Sequence, residues 1–186
     1  MIATNSKALL SSVHISRDKL VLLYSIDVRD ELHLFDLKSG KPLGRIGEGL
    51  LGSVDQFAGR REDSTFYFSF ASFLSPGTAY AYDFDAAAGK ELSTYRTTKV
   101  AGIDPNDFVS EQVFYTSKDG TKIPMFITKH KLCKNDGTAP VIQYGYGGFS
   151  ASMEPFFSPS LLTWCQAYHG VFAYVVSPPS RRREGD

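Results

Sequence analysis

The residues Gln143-Tyr144-Gly145-Tyr146-Gly147-Gly148-Phe149-Ser150 place three glycines and three aromatic rings within eight positions, directly after the apolar run Pro140-Val141-Ile142. A glycine-rich loop at the end of a strand lets backbone approach a reacting group closely, and a tyrosine there can offer a phenolic O–H to an oxyanion that forms only in a transition state. The same residues could equally make a tight turn whose rings pack a core. Two nucleotide-binding readings fail on spacing. Glycines at 145, 147 and 148 do not give G-x-G-x-x-G, and no Gly-Lys-Ser/Thr follows, as a phosphate-binding loop requires.

A nucleophile to match such a loop is harder to find. No G-x-S-x-G occurs; Gly148-Phe149-Ser150-Ala151-Ser152 comes closest, with Ser152 where the second glycine must stand. The four histidines suit structural roles: His14 and His33 fall in strand-like segments, His130 in a linker, and His169 at a helix C-terminus, where a cation is favourable. The only cysteines, Cys133 and Cys165, lack metal-ligand spacing and read as free thiols in a reducing compartment. Neither a metal nor another cofactor is expected.

The elements that would position this loop are legible from the pattern. From Ala8 to about Tyr95 short strands alternate with turns: ALLSSVHIS, KLVLLYSI, ELHLFDL, SVDQFAG, STFYFSFASF, TAYAYDF and ELSTY, broken at SRD, VRD, KSGK, LSPG and AAAGK. His33–Leu43 is echoed by Tyr80–Leu92, each an alternating strand that ends in Asp and an apolar residue before a Gly-Lys turn, with Asp36 and Asp83 47 positions apart. About 40–50 residues carrying four short strands is the period of a propeller blade. Two copies predict two blades, with a piece of β-sandwich as the alternative.

After Val100 the pattern changes. Glu111–Ser117 and Thr121–Thr128 form a hairpin about Lys118-Asp119-Gly120, with Pro124 suited to a sheet edge. Pro140–Tyr144 reads as a strand buried on both faces of a parallel sheet. Ser158 as N-cap, Pro159 at the first helical position and Gly170 beyond the end predict a helix, with Leu161, Trp164, Cys165 and Tyr168 on one apolar stripe. Val171–Val176 is a further buried strand, so strand, loop, helix and strand predict a βαβ unit in a parallel sheet.

Composition bounds the partners. The chain has 186 residues, 42% of them hydrophobic and 13% aromatic, and 20 basic residues balance 20 acidic ones. That is the composition of a globular protein, and the charge balance argues against nucleic acid or a membrane surface as a partner. No segment reads as a signal peptide or a membrane span, so the chain is expected to be soluble and cytoplasmic.

With these residues in view, the chain resembles the prolyl oligopeptidases, a family of serine peptidases. The resemblance rests on Ser72–Gly77 (SFLSPG), Phe114–Ile127 (FYTSKDGTKIPMFI) and Tyr144–Phe149 (YGYGGF), with a weaker match around Leu32–Leu37, in the family's order across most of residues 10–176. It implies a mixed β and α/β fold: C-terminal blades of a β-propeller over residues 1–100, then the N-terminal part of an α/β-hydrolase domain over 101–186. It implies cleavage of short proline-containing peptides after proline, with Tyr146 as oxyanion-hole donor and Phe149 lining the proline pocket. It also implies that the catalytic Ser, Asp and His lie outside this chain, leaving it inactive alone, and that its unpartnered strands expose apolar surface. Where the family continues into a glycine-rich segment after the last strand, this chain reads PSRRREGD. An acylaminoacyl peptidase-like enzyme and a non-catalytic interaction fragment are the alternatives.

Overall fold

The computed structural model describes residues 8–146 and 154–176. These residues form twelve strands, a one-turn 3₁₀ helix at Pro105–Asp107 and one α-helix, arranged in three four-stranded sheets. The protein is mostly β.

The first sheet runs in chain order through β1 (Leu9–Ser16), β2 (Lys19–Ile26), β3 (Arg29–Asp36) and β4 (Pro42–Ile46), all antiparallel. The second repeats that plan with β5 (Ser53–Ala58), β6 (Thr65–Ser72), β7 (Ser75–Asp83) and β8 (Leu92–Thr97). Two four-stranded meanders are what the sequence repeat predicts. Asp36 and Asp83 hold equivalent places, each ending the third strand of its sheet and donating its backbone N–H across the turn, to Lys41 O at 2.9 Å and to Glu91 O at 2.8 Å.

The pattern misses β4, because Pro42 and Gly44 interrupt its run and all of it but Ile46 is exposed; as the outermost strand it tolerates the proline. The break expected at Leu74-Ser75-Pro76-Gly77 falls earlier, at Phe73-Leu74, with Ser75, Pro76 and Gly77 already in β7. The β2–β3 turn likewise falls on Asp27-Val28, both with positive φ, the geometry of a tight hairpin turn.

The two meanders pack face to face. Alternating residues Leu32 and Leu34 of β3 and Phe66, Phe68 and Phe70 of β6 are buried together with Val21, Leu23 and Ile46. Period-two alternation sends one side chain of each pair inward, and burying a ring this fully contributes roughly 1.5–3 kcal/mol.

The third sheet has the order β11-β12-β10-β9, with β9 (Phe108–Thr116), β10 (Lys122–His130), β11 (Val141–Tyr146) and β12 (Val171–Val176). The hairpin β9–β10 is the predicted one, although β9 begins three residues sooner. α1 (Pro159–Tyr168) links β11 to β12, which pair in parallel, so the predicted βαβ unit is present. The sheet is nonetheless mixed, because β12 inserts beside β10 antiparallel to it. Three expectations are corrected here. β11 is an edge strand with Val141, Ile142 and Tyr144 exposed, rather than a strand covered on both faces. β10 is an interior strand, and Pro124 is accommodated because the ladder to β12 begins only at Met125. The buried side of α1 is Leu162 and Cys165, with Leu161 and Trp164 packed beside them and Tyr168 in solvent.

The helix ends are as the sequence implies. Ser158 accepts the Leu161 N–H at 3.5 Å, Pro159 opens the helix, and His169 closes it in the left-handed region at φ 49°. Gly170 is fixed by space as well: a Cβ there would collide with the Trp164 ring.

The three sheets meet at Gly52-Ser53-Val54. Asp30, at the start of β3, donates its N–H to Gly52 O at 3.0 Å and accepts the Val54 N–H on Oδ2 at 2.8 Å. Ser53 between them donates its hydroxyl to Pro155 O at 2.8 Å, tying the segment that enters α1. Asp30 is 7% exposed. Burial pushes its carboxyl up to about 6; the Val54 N–H works against the shift, and the Glu154 and Asp55 charges add to it. A carboxyl with its folded pKa above the unfolded value favours the fold most when protonated, and that contribution is lost as pH rises through about 6. Asn at this position keeps an acceptor for Val54 and removes the buried charge. Asp30→Asn is therefore expected to melt several degrees above the parent at pH 7.5, the gap closing towards pH 4; thermal unfolding across that range checks it, and a variant less stable at pH 7.5 would contradict it.

Candidate functional site

β11 carries the first part of the glycine-rich run, and Tyr146, the candidate oxyanion donor, is its last residue, with Val176 of β12 as its register partner. Phe149, the candidate pocket residue, lies outside the described residues, as do Gly147, Gly148, Ser150 and Ser152. Gly145 is ordinary strand: a Cβ there would make only normal contacts with Val175 at 3.5 Å. The glycine signal at that position is thus not a demand for space.

Aromatic rings meet at both described flanks of the run. Tyr144, before it, lies parallel to Tyr174 of β12 with centroids 5.6 Å apart and planes at 9°. Phe156, after it, meets the same Tyr174 edge-on at 5.6 Å. Phe73, from the tip of the β6–β7 turn in the second sheet, closes the group at 5.3 Å from Tyr174 and 5.9 Å from Phe156, and also touches Phe126 at 5.3 Å and Phe172 at 6.0 Å. Offset and edge-to-face pairs at these separations contribute roughly 0.5–1.5 kcal/mol each beyond their buried area. Val28, at the β2–β3 turn of the first sheet, joins the same core with Phe108, Phe126, Leu162, Cys165 and Phe172. The Gln112 amide fixes that turn by donating to Asp27 O at 2.7 Å.

Tyr174 is fully buried, and its hydroxyl has no hydrogen-bond partner among the described residues. Burial, with the neighbouring Tyr144 and Glu154, pushes it up to about 12, so it stays a neutral phenol. Sequence reasoning places Tyr174 in a buried strand and Phe73 in a family-like motif without assigning either to the loop. The only available signal was a pair of rings in otherwise apolar segments.

The histidines do not assemble a catalytic relay among the described residues. His14 lies between Phe57 and Phe66, its Nε2 buried without a partner among the described residues, and burial lowers its pKa. His33 bonds to Glu31 at 3.0 Å, beside Arg29 and Arg45, and these partners together hold Glu31 below the usual carboxylate range against its burial. His130 accepts the Leu132 N–H on Nδ1 and faces His169 at 5.7 Å. Cys133 and Cys165 are both buried free thiols, and burial pushes Cys165 up to about 11. Among the described residues no three His, Cys, Asp or Glu side chains gather as a metal would require, and no helix is long and apolar enough to cross a membrane.

A glycine-rich, tyrosine-bearing run thus follows a parallel strand, with two meander sheets packed against the aromatic core beside that strand. The family model described as prolyl oligopeptidase, N-terminal beta-propeller domain, matches residues 1–94. The chain belongs to the prolyl oligopeptidase family. It is 48% identical over 174 residues to prolyl oligopeptidase ophP of Omphalotus olearius, covering 93% of this chain and 23% of that protein. It is 46% identical over 171 residues to the dual function macrocyclase-peptidase POPB of Galerina marginata, covering 92% and 23%. The apo structure of prolyl oligopeptidase B from Galerina marginata superposes with a TM-score of 0.87 at 44% identity, over 94% of this chain and 25% of that one. The same Galerina protein bound to a 25mer macrocyclization substrate gives a TM-score of 0.82. The chain spans about a quarter of the length of these relatives.

Because the Tyr174 hydroxyl is buried without a partner among the described residues, its removal leaves no donor or acceptor stranded there. Tyr174→Phe is expected to leave the melting temperature unchanged or raise it by a degree or two in thermal unfolding; a fall of several degrees would reveal a hydrogen bond at that oxygen.

Proposed function

We propose that this chain is part of a serine-type oligopeptidase that cleaves short peptides after proline. The observation that carries the proposal is the position of Tyr146 at the C-terminal end of a parallel strand in a βαβ unit, the place where open α/β sheets bind their ligands. Supporting it, similarity to proteins named prolyl oligopeptidases runs well beyond the propeller segment and takes in nearly all of this chain. On this reading the two meanders are propeller blades over residues 1–100, and the mixed sheet opens an α/β-hydrolase domain from 101 onward. The chain works as part of a cytosolic enzyme, consistent with its two buried thiols.

The chemistry is acyl transfer. A serine hydroxyl, supplied by the longer protein, adds to the carbonyl after proline, and a histidine takes its proton. The carbonyl oxygen becomes an oxyanion, and Tyr146 donates its phenolic O–H to that oxygen. Phe149 lays its ring against the pyrrolidine, which fixes the carbonyl before the charge develops. One such donor contributes roughly 3–4 kcal/mol to the transition state and little to substrate binding.

The oxyanion collapses to a carbonyl as the C–N bond after proline breaks, the departing amine takes the proton held by the histidine, and the acyl-enzyme left on the serine is released by water or by the free amine of a peptide. The name of the Galerina relative, a dual function macrocyclase-peptidase, favours carrying the second outcome as a further reading for this protein. Both outcomes share the step that Tyr146 serves.

In the longer protein that carries this chain, Tyr146→Phe is expected to lower kcat on a proline-containing peptide by roughly 10²–10³-fold with KM nearly unchanged. Steady-state kinetics check this. A kcat equal to that of the parent would remove Tyr146 from the oxyanion site.

A further inference from the structure

Phe73 lies in the turn between β6 and β7, and its ring belongs to the core of the third sheet. Phe73 is 4% exposed, although it sits at the tip of a two-residue turn, where a side chain would ordinarily face solvent. Its ring is sunk into the third sheet, in contact with Tyr174 and Phe156. Tyr174 in turn stacks on Tyr144, its register partner, two residues before Tyr146 on the same strand. Phe156 abuts Tyr174 from the other side of the run. Tyr144 is 44% exposed and, among the described residues, β11 is an edge strand paired only with β12.

We propose that Phe73 is a positioning residue for the oxyanion donor: from the second sheet it presses Tyr174 against Tyr144 and so fixes the end of β11 that carries Tyr146. This rests on the peptidase reading for its catalytic consequence. The mechanical part, that Phe73 orders the end of β11, stands without it. The physical reason is that interiors are close-packed, so removing one ring lets its neighbours shift by fractions of an ångström. An oxyanion donor displaced by about 1 Å loses most of its effect, and rate losses near 10²-fold follow from misplacements of that size.

The test has two arms. In the longer protein, Phe73→Ala and Phe73→Leu are compared with Leu162→Ala, which opens a cavity in the same core without removing a ring from the Phe73, Phe156 and Tyr174 group. Rates are expressed per active site titrated with a serine-directed phosphonylating reagent, so that loss of folded protein does not count. Phe73→Ala is expected to lower kcat at least 10-fold with KM within about twofold, Phe73→Leu to recover part of it, and Leu162→Ala to match the parent. In this chain itself, amide hydrogen exchange over residues 141–146 and 154–157 is expected to quicken at least 10-fold in Phe73→Leu and to change little in Leu162→Ala.

Equal kcat per titrated site in Phe73→Ala and the parent would overturn the catalytic part. Equal exchange in the two variants would overturn the mechanical part. If the parent longer protein does not cleave after proline, the peptidase reading fails alone, and the exchange arm still decides whether Phe73 orders β11.

Discussion

Burial of Phe73 in the core of the third sheet is the interaction on which the arrangement depends. Without it the two meanders share their own core of phenylalanines and leucines, and the third sheet has only its hairpin, one helix and a pair of parallel strands. The ring brings the second meander into contact with Phe126, Phe172 and Tyr174, while Val28 does the same for the first meander from its own turn. Both contacts come from the connection between second and third strands of a four-stranded sheet, so a repeated unit presents the same end to one partner surface. The Ser53–Pro155 and Gln112–Asp27 hydrogen bonds lie at the same junction. Apolar area supplies the stabilisation there and the polar pairs fix the geometry.

Much of this was legible because it is written locally. Alternation in Phe66-Tyr67-Phe68-Ser69-Phe70, the Asp119-Gly120 turn and the Ser158-Pro159 start each depend on residues a few positions apart, and each appears where the pattern places it. The repeat spacing between Asp36 and Asp83 marks the same corner of two meanders because one strand-turn-strand solution is used twice. Positions failed where the deciding partner is distant. Nothing in Pro140–Tyr144 tells that its strand lies at the edge, nor does Leu161–Tyr168 tell that the sheet covers Leu162 rather than Tyr168. Phe73 looks like any aromatic beside a turn until the third sheet is placed against it.

The candidate site shows the same division. Tyr144–Phe149 attracts notice by composition, and the strand that bears its first residues is where a βαβ unit should put it. The rings grouped beside Tyr144, namely Tyr174, Phe156 and Phe73, come from three separate segments and are recognisable only in three dimensions. The exposed apolar surface of this sheet falls on β11, at Val141, Ile142 and Tyr144, whereas Phe172, Ala173 and Tyr174 of β12, the strand expected to lack cover, are buried.

The account stands or falls on where the Tyr146 hydroxyl lies when the reacting carbon is tetrahedral. The measurement that tests this most directly is a crystal structure of the longer protein with a peptide aldehyde ending in proline, which forms a hemiacetal at the nucleophilic serine. The account requires the Tyr146 phenolic oxygen roughly 2.7–3.1 Å from the hemiacetal oxygen, with Phe149 against the pyrrolidine ring. A tetrahedral oxygen held by other donors, with Tyr146 turned into the core, would contradict it.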